Sequence, residues 1–206
     1  VYPADGFSCI MDIFFISFLD FFGGCSPEPP LLNVYPADGF LCIIDIFFIL
    51  PNHFYAIMSR MKNIFRWGLM RNTRRENLSE HSLEVAQIAH ALAIINRNRL
   101  GGNADPNFVS VVALYHDSSE IITGDMPTPI KYYNEDIKSA YKKIEETAEL
   151  QLMEMLPEDF RADFHKIYNP DPETKRLVKA ADKISALIKC IEELNMGNKE
   201  FEVANN

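Results

Sequence analysis

From position 53 onward, apolar residues recur every three or four places and are interrupted at Gly- and Pro-rich breaks, a period that fits helices and no strand pattern. Phe54, Ile57, Met58, Met61, Ile64 and Phe65 predict a first helix over 53–66. Ser79 is placed to cap a second, in which His81, Val85, Ile88, Leu92 and Ile95 advance by four, three, four and three. Gly101-Gly102-Asn103 ends it, and Asp105-Pro106 opens a third helix, where Val109, Val112, His116 and Glu120 share roughly one face. Two prolines then stiffen a loop over 123–129. A long helix over 134–155, another opened by Pro157 and a last one over 173–196 complete the pattern. In that last helix Leu177, Ala181, Ile184, Ile188 and Ile191 make the expected apolar stripe, with Asp182 on its border. The expected fold class is all-α, a helical bundle.

The first fifty residues differ from the rest. Residues 1–16 and 34–49 are near copies, identical at all but two of sixteen positions and offset by 33. This stretch holds no Lys or Arg but nine of the 15 phenylalanines, so a boundary is expected near Leu50-Pro51. The chain is accordingly read as a duplicated Phe-rich extension over 1–50 and a domain over 51–206. Two copies around a turn-rich spacer do not make a solenoid. The apolar runs are broken by Asp12, Asp20 and Asp45 and are shorter than the ~20 residues a spanning helix needs, so no membrane partner is expected.

A net charge of −9 and a pI near 5.0 argue against a nucleic-acid polymer as partner, because phosphate-backbone binders display a basic face. A small anionic substrate stays open, since one Arg or one metal ion is enough to hold a phosphate. Cys9, Cys25, Cys42 and Cys190 form no disulfide framework, which fits a reducing cytoplasm, and Cys190 is expected to be a small buried residue.

Four metal-type side chains, His81, His116, Asp117 and Asp182, fall within or at the ends of helical stretches, with Glu120 close behind the adjacent pair. Two imidazoles and two carboxylates suit a borderline divalent ion and leave room for water. Glu120 would sit where it could orient that water or relay its proton. Each residue alone has a plainer reading. His81 can be a helix-start residue, Asp182 can pair with Lys179 or Lys183, and Glu120 can face water. Arg66-Trp67 reads either as a phosphate-binding guanidinium beside a base-stacking indole or as a helix-end cation beside a core aromatic.

The stretches SRMKNIFRWGLMRNTRRENLSEHSLEVAQIAHALA, ALYHDSSEIITGDMPTPIKYYN and LVKAADKISALIKCIEELNMGNKEF closely resemble the HD-domain 5'-deoxynucleotidases of the bacterial YfbR type. The resemblance runs from about Asn52 onward. It implies an HD-domain bundle in which His81, His116, Asp117 and Asp182 bind one divalent metal ion, cobalt, manganese or similar. It implies Glu120 as catalytic acid/base, Arg66 as the group that orients phosphate, and Trp67 as part of the nucleotide enclosure. Asp125, Met126, Pro127 and Thr128 would contact sugar and phosphate, with Asp125 reading the 3'-hydroxyl and Asp117 and Asp182 also facing substrate. The implied substrate is a deoxynucleoside 5'-monophosphate, hydrolysed to deoxynucleoside and phosphate, and a homodimer is implied as a possible assembly. Two departures stand out. The family has nothing like the Phe-rich front, and its chains run on past the match to Asn206, so the domain is expected to lack its C-terminal end. Gly68 also takes the place of an expected proline.

Two other readings compete. Guanosine-tetraphosphate hydrolysis is disfavoured because Ile121 stands where those enzymes carry a second acid. A catalytically silent HD-domain interaction protein would keep the bundle without the chemistry.

Overall fold

The computed structural model describes residues 54–202; the duplicated segment over 1–50, its expected boundary and His53 lie outside the described residues. In chain order the helices are α1 (Phe54–Met58), α2 (Leu78–Arg99), α3 (Pro106–Tyr115), α4 (Glu120–Thr123), α5 (Thr128–Lys131), α6 (Glu135–Glu154), α7 (Glu158–Tyr168) and α8 (Pro172–Asn195), with 3₁₀ turns at Ser59–Asn63 and Lys199–Phe201. The described residues form no sheet; Phe65 and Asn77 make an isolated antiparallel bridge.

Local chemistry sets the helix starts. Asn77, not Ser79, caps α2: its side chain accepts from the Glu80 N–H while the Glu80 carboxylate accepts from the Asn77 N–H, a reciprocal capping box. Asp105 caps α3 with Pro106 just inside, and Asp171 caps α8 with Pro172 in the same place. Asn134 caps α6. The expected helix over 53–66 is shorter, because α1 passes into a 3₁₀ turn and the chain becomes extended at Ile64. Arg66 and Trp67 therefore lie on a loop. That loop is closed at its neck by Arg66 N–H to Glu76 O at 3.0 Å and Leu78 N–H to Ile64 O at 3.0 Å.

The main core joins α2, α3 and α8 through Val85, Ala86, Ala89, Ala93, Val109, Val112, Ala113, Leu177, Val178 and Ala181. Alanines at 86, 89 and 93 let the neighbouring helices approach α2 closely, since interaxial distance follows side-chain size. This choice of face corrects the expected stripes. Ile88 and Leu92 are only half-buried and Ile95 is 40% exposed. On α8, Ile184 and Ile191 are likewise 37% and 45% exposed, while Ser185, Lys189 and Glu193 are buried. Large aliphatics yielded to small and polar residues at the contact because helix proximity, and not hydrophobicity alone, decides which face fits.

A second cluster of Phe54, Leu152, Leu156 and Phe164 packs α1 on α6 and α7, with the Phe54 and Phe164 rings 5.0 Å apart edge to face. Met61, Leu78 and Ile121 form a third. Cys190 is buried.

Candidate active site

Three helices converge on one point. His81 leaves the first turn of α2, Asp182 leaves the middle of α8, and His116 and Asp117 follow the end of α3. Val109, Val112, His116 and Glu120 do not share one helix face as expected: α3 ends at Tyr115, His116 occupies the cap, and Glu120 begins the separate helix α4. That break turns His116 and Asp117 together toward α2. Ser118 and Glu120 amides bond back to the Tyr115 and Asp117 carbonyls, closing the turn.

The nitrogen His81 Nε2 lies 3.2 Å from Asp182 Oδ1 and 3.5 Å from Asp117 Oδ2, and His116 Nε2 lies 3.1 Å from the same Asp117 oxygen. The ligand atoms of His81, His116 and Asp117 all fall within 4.8 Å of one another; Asp182 joins at the rim through His81 and is not one of that triad. His116 Nδ1 is 2.7 Å from the Ala113 carbonyl, which can only accept, so Nδ1 carries a proton and Nε2 is the nitrogen turned to Asp117; burial lowers this imidazole's pKa but Asp117 raises it further. Both Nε2 atoms and Glu120 Oε2 are buried without a hydrogen-bond partner. An imidazole nitrogen this close to a carboxylate oxygen needs positive charge between them, a proton or a metal ion, and two imidazoles with two carboxylates are a donor set that fits a borderline divalent metal.

The electrostatics point the same way. Burial pushes the Asp117 carboxyl up, but His116, Arg66 and His81 outweigh it and hold the group well below the usual carboxylate range. Asp182 is also lowered: burial raises it, and the positive charge gathered at the centre prevails. Glu120 behaves oppositely. Burial, with repulsion from Asp117 and Asp125, raises its carboxyl to about 9 against the pull of Arg66 and Lys131. One acid is kept ionised and its neighbour protonated, a division that suits a site moving a proton.

Beside this cluster opens a cleft of about 660 Å³ bordered by Arg66, Trp67, Met70, Asp125, Met126, Pro127, Thr128 and Asp182. Every expected site residue thus lies at the cluster or the cleft, and Met70 adds to the cleft wall. Arg66 spans the two: Nη1 is 3.1 Å from Asp117 Oδ2, Nη2 is 3.9 Å from Asp182 Oδ1 and Nε is 3.4 Å from Glu76 Oε2. Asp182 therefore pairs with Arg66 and His81 and not with Lys179 or Lys183. Trp67 takes a left-handed backbone conformation at φ 61, its indole N–H donating to Glu76 Oε2 at 2.9 Å and its ring 5.3 Å from Phe201. A bulky residue in that conformation is strained by roughly 1–2 kcal/mol, so its surroundings fix it there. A Cβ at Gly68 would meet open space.

Sequence reading missed the residues that hold these groups. Glu76 binds Arg66 and Trp67 together. Buried Glu193 accepts from the Thr73 and Arg74 amides and from Asn198, and pairs with Lys189, which in turn reaches the Arg74 carbonyl; α8 thereby anchors the Arg66-Trp67 loop. Tyr141 approaches Thr123 and Gly124 just before Asp125, and Gly124 turns the chain at φ 75. The available signal was the i,i+4 spacing of Lys189 and Glu193.

A family model described as 5'-deoxynucleotidase YfbR-like matches residues 53–206. The chain belongs to this family. The YfbR-like chain is 51% identical over 156 residues to a 5'-deoxynucleotidase of Vibrio parahaemolyticus, covering 74% of this chain and 80% of the relative. It is equally 51% identical to a 5'-deoxynucleotidase of Photorhabdus laumondii, with 74% and 79% covered. Among solved structures, an HD-domain phosphohydrolase from Listeria innocua superposes with a TM-score of 0.63 at 23% identity, covering 72% of each chain, a likeness of fold. A conserved protein from Pyrococcus furiosus gives 0.57 at 26% identity, with 73% and 91% covered. The HD-type all-α bundle expected from the sequence is therefore the fold of the described residues. No described helix is long and apolar enough to cross a membrane.

Proposed function

We propose that this YfbR-like chain is a metal-dependent phosphomonoesterase that hydrolyses 2'-deoxynucleoside 5'-monophosphates to deoxynucleoside and phosphate. The observation that carries this is the pair of buried, unpartnered imidazole nitrogens facing the Asp117 carboxylate beside a cleft walled by Arg66 and Trp67. His81, His116, Asp117 and Asp182 hold one divalent ion, cobalt, manganese or a similar metal. When bound, such an ion lowers the pKa of a water and withdraws charge from a phosphoryl oxygen.

The remaining work falls to the chain. Arg66, desolvated and held by three carboxylates, directs its guanidinium at the phosphate and offsets charge on the oxygens that do not leave. Trp67 encloses the nucleotide, and Asp125 accepts from the 3'-hydroxyl while Met126, Pro127 and Thr128 line the sugar side. Water oxygen attacks phosphorus in line and the bond from phosphorus to O5' breaks; Glu120, held protonated, gives its proton to the leaving O5', and the proton released by the attacking water restores it. A wall packed against C2' rejects the extra hydroxyl of a ribonucleotide. The domain over 51–206 carries this activity, and a chain lacking residues 1–50 is expected to turn over equally well; a homodimer is a compatible assembly.

The test is phosphate release from dAMP, dGMP and dTMP with added cobalt or manganese, beside AMP. Equal rates on AMP and dAMP would refute sugar selection. Unchanged metal content and turnover in His116→Ala would favour a silent interaction protein instead.

A further inference from the structure

Both imidazoles of the centre need the same tautomer, with a proton on Nδ1 and a lone pair on Nε2. For His116 the Ala113 carbonyl enforces it. His81 has no carbonyl at Nδ1; that nitrogen meets Ser185 Oγ at 3.2 Å, and a hydroxyl can either donate or accept. The ambiguity is removed one step further out, where Ser185 Oγ donates to Glu84 Oε2 at 2.7 Å. A serine has one hydroxyl proton. With that proton committed to Glu84, Ser185 Oγ has only lone pairs left for His81, so Nδ1 carries the hydrogen and Nε2 is left bare toward Asp117 and Asp182.

We propose that Glu84 and Ser185 are positioning residues that set the tautomer and ring orientation of His81 for metal binding. This rests on the metal-centre reading given above. The alternative tautomer is a real competitor: an Nε2–H would point at Asp182 Oδ1 and Asp117 Oδ2, 3.2 and 3.5 Å away, and would be welcomed there in place of a metal. The relay opposes that outcome. Its geometry is available because α2 carries both His81 and Glu84, three positions apart on adjoining faces, while Ser185 sits one turn beyond Asp182 on α8. Ser185 is fully buried and Glu84 half-buried, so Ser185 is shielded from water while Glu84 lies at the edge. A serine buried on the face that carries Leu177, Val178 and Ala181 one and two turns earlier has a clear use here.

The experiment measures divalent-ion affinity by chelator competition, using zinc and manganese, in the full chain and in Glu84→Ala, Glu84→Gln, Ser185→Ala and the Glu84→Ala/Ser185→Ala double variant. Loss of a partner behind a metal-ligating histidine weakens binding on the order of 10- to 100-fold. Glu84→Ala and Ser185→Ala are each expected to show that loss. Glu84→Gln should stay close to the parent, because an amide oxygen can still accept from Ser185. The double variant should bind no worse than Ser185→Ala alone, since the two act in series. Glu84→Ala adds a strong helix former at a half-buried position, so folding should survive, and thermal unfolding checks this. Before metal is added, nitrogen NMR of the His81 ring should show the Nδ1–H tautomer in the parent and a shift toward the Nε2–H tautomer in Glu84→Ala. Parent-like affinity in Glu84→Ala, or additive losses in the double variant, would overturn the relay. A parent that binds no divalent ion, like His116→Ala, would instead overturn the metal centre itself.

Discussion

Replacing Glu193 by alanine should be among the most damaging single changes in the described region, although the residue touches neither the histidine-aspartate cluster nor the cleft. Its side chain is inaccessible to solvent and accepts from Thr73 N–H at 2.8 Å, Arg74 N–H at 3.1 Å and Asn198 Nδ2 at 2.8 Å, besides pairing with Lys189. Truncation strands a lysine ammonium that is only 4% exposed and leaves three N–H groups without their acceptor. Breaking a buried pair in this way costs about 3–5 kcal/mol, a large share of the ~5–15 kcal/mol that holds a domain together. Lys189→Met should cost less, because Glu193 keeps its three N–H donors and an apolar chain replaces the buried ammonium. The assay is urea unfolding at neutral pH, read from midpoints at constant slope. The pH dependence has a definite sign. Burial raises the Glu193 carboxyl, but its hydrogen-bond donors hold it far below the ordinary 4.5. Its contribution is therefore complete above that value and fades as pH falls through the depressed folded value, so parent and variant should converge in acid. A Glu193→Ala loss under about 1 kcal/mol, or a Lys189→Met loss exceeding it, would refute the account of a buried pair that leaves an uncompensated charge when broken.

Glu120→Gln should lower kcat by roughly 10²–10⁴ while leaving metal affinity near the parent value, as measured by steady-state kinetics and chelator competition. Gly102→Ala should destabilise the domain by about 1–3 kcal/mol in thermal or urea unfolding, because the added methyl would collide with Asn96 and Glu173, whose 2.6 Å hydrogen bond ties the end of α2 to the start of α8. Burial and repulsion from Glu145 and Glu146, against the pull of Lys175, raise Glu149 to about 7 from 4.5, so the folded state favours its protonated form. Stability from that group is present below 4.5 and lost as pH rises toward 7; Glu149→Gln should raise the Tm at pH 8 and change it little at pH 4.

Much of the site was legible because its chemistry uses residue types that helices seldom bury without cause. His81, His116 with Asp117, and Asp182 could each be noticed on a periodic apolar background, and Pro127 and Pro129 marked the loop beside them. The helix starts at Asp105-Pro106 and Pro172 were equally readable, since proline and a capping side chain act within a few residues of each other. Arg66 and Trp67 had two readings for the opposite reason. Whether a guanidinium sits at a helix end or over a cleft depends on where the chain leaves its helix, and here a 3₁₀ turn ended α1 early.

The helical period, the breaks and the caps were thus determined by the sequence alone, because they depend on interactions between residues a few positions apart. Which face of each helix is buried was decided only in three dimensions: the alanines of α2 draw α8 close, so Ser185, Lys189 and Glu193 go inside while Ile184 and Ile191 stay out. The support of the site belongs to the same level, for Glu84 reaches Ser185 across 101 positions and Glu193 reaches Thr73 across 120. Such pairings carry no local period, and only the packed helices bring their partners within hydrogen-bonding range.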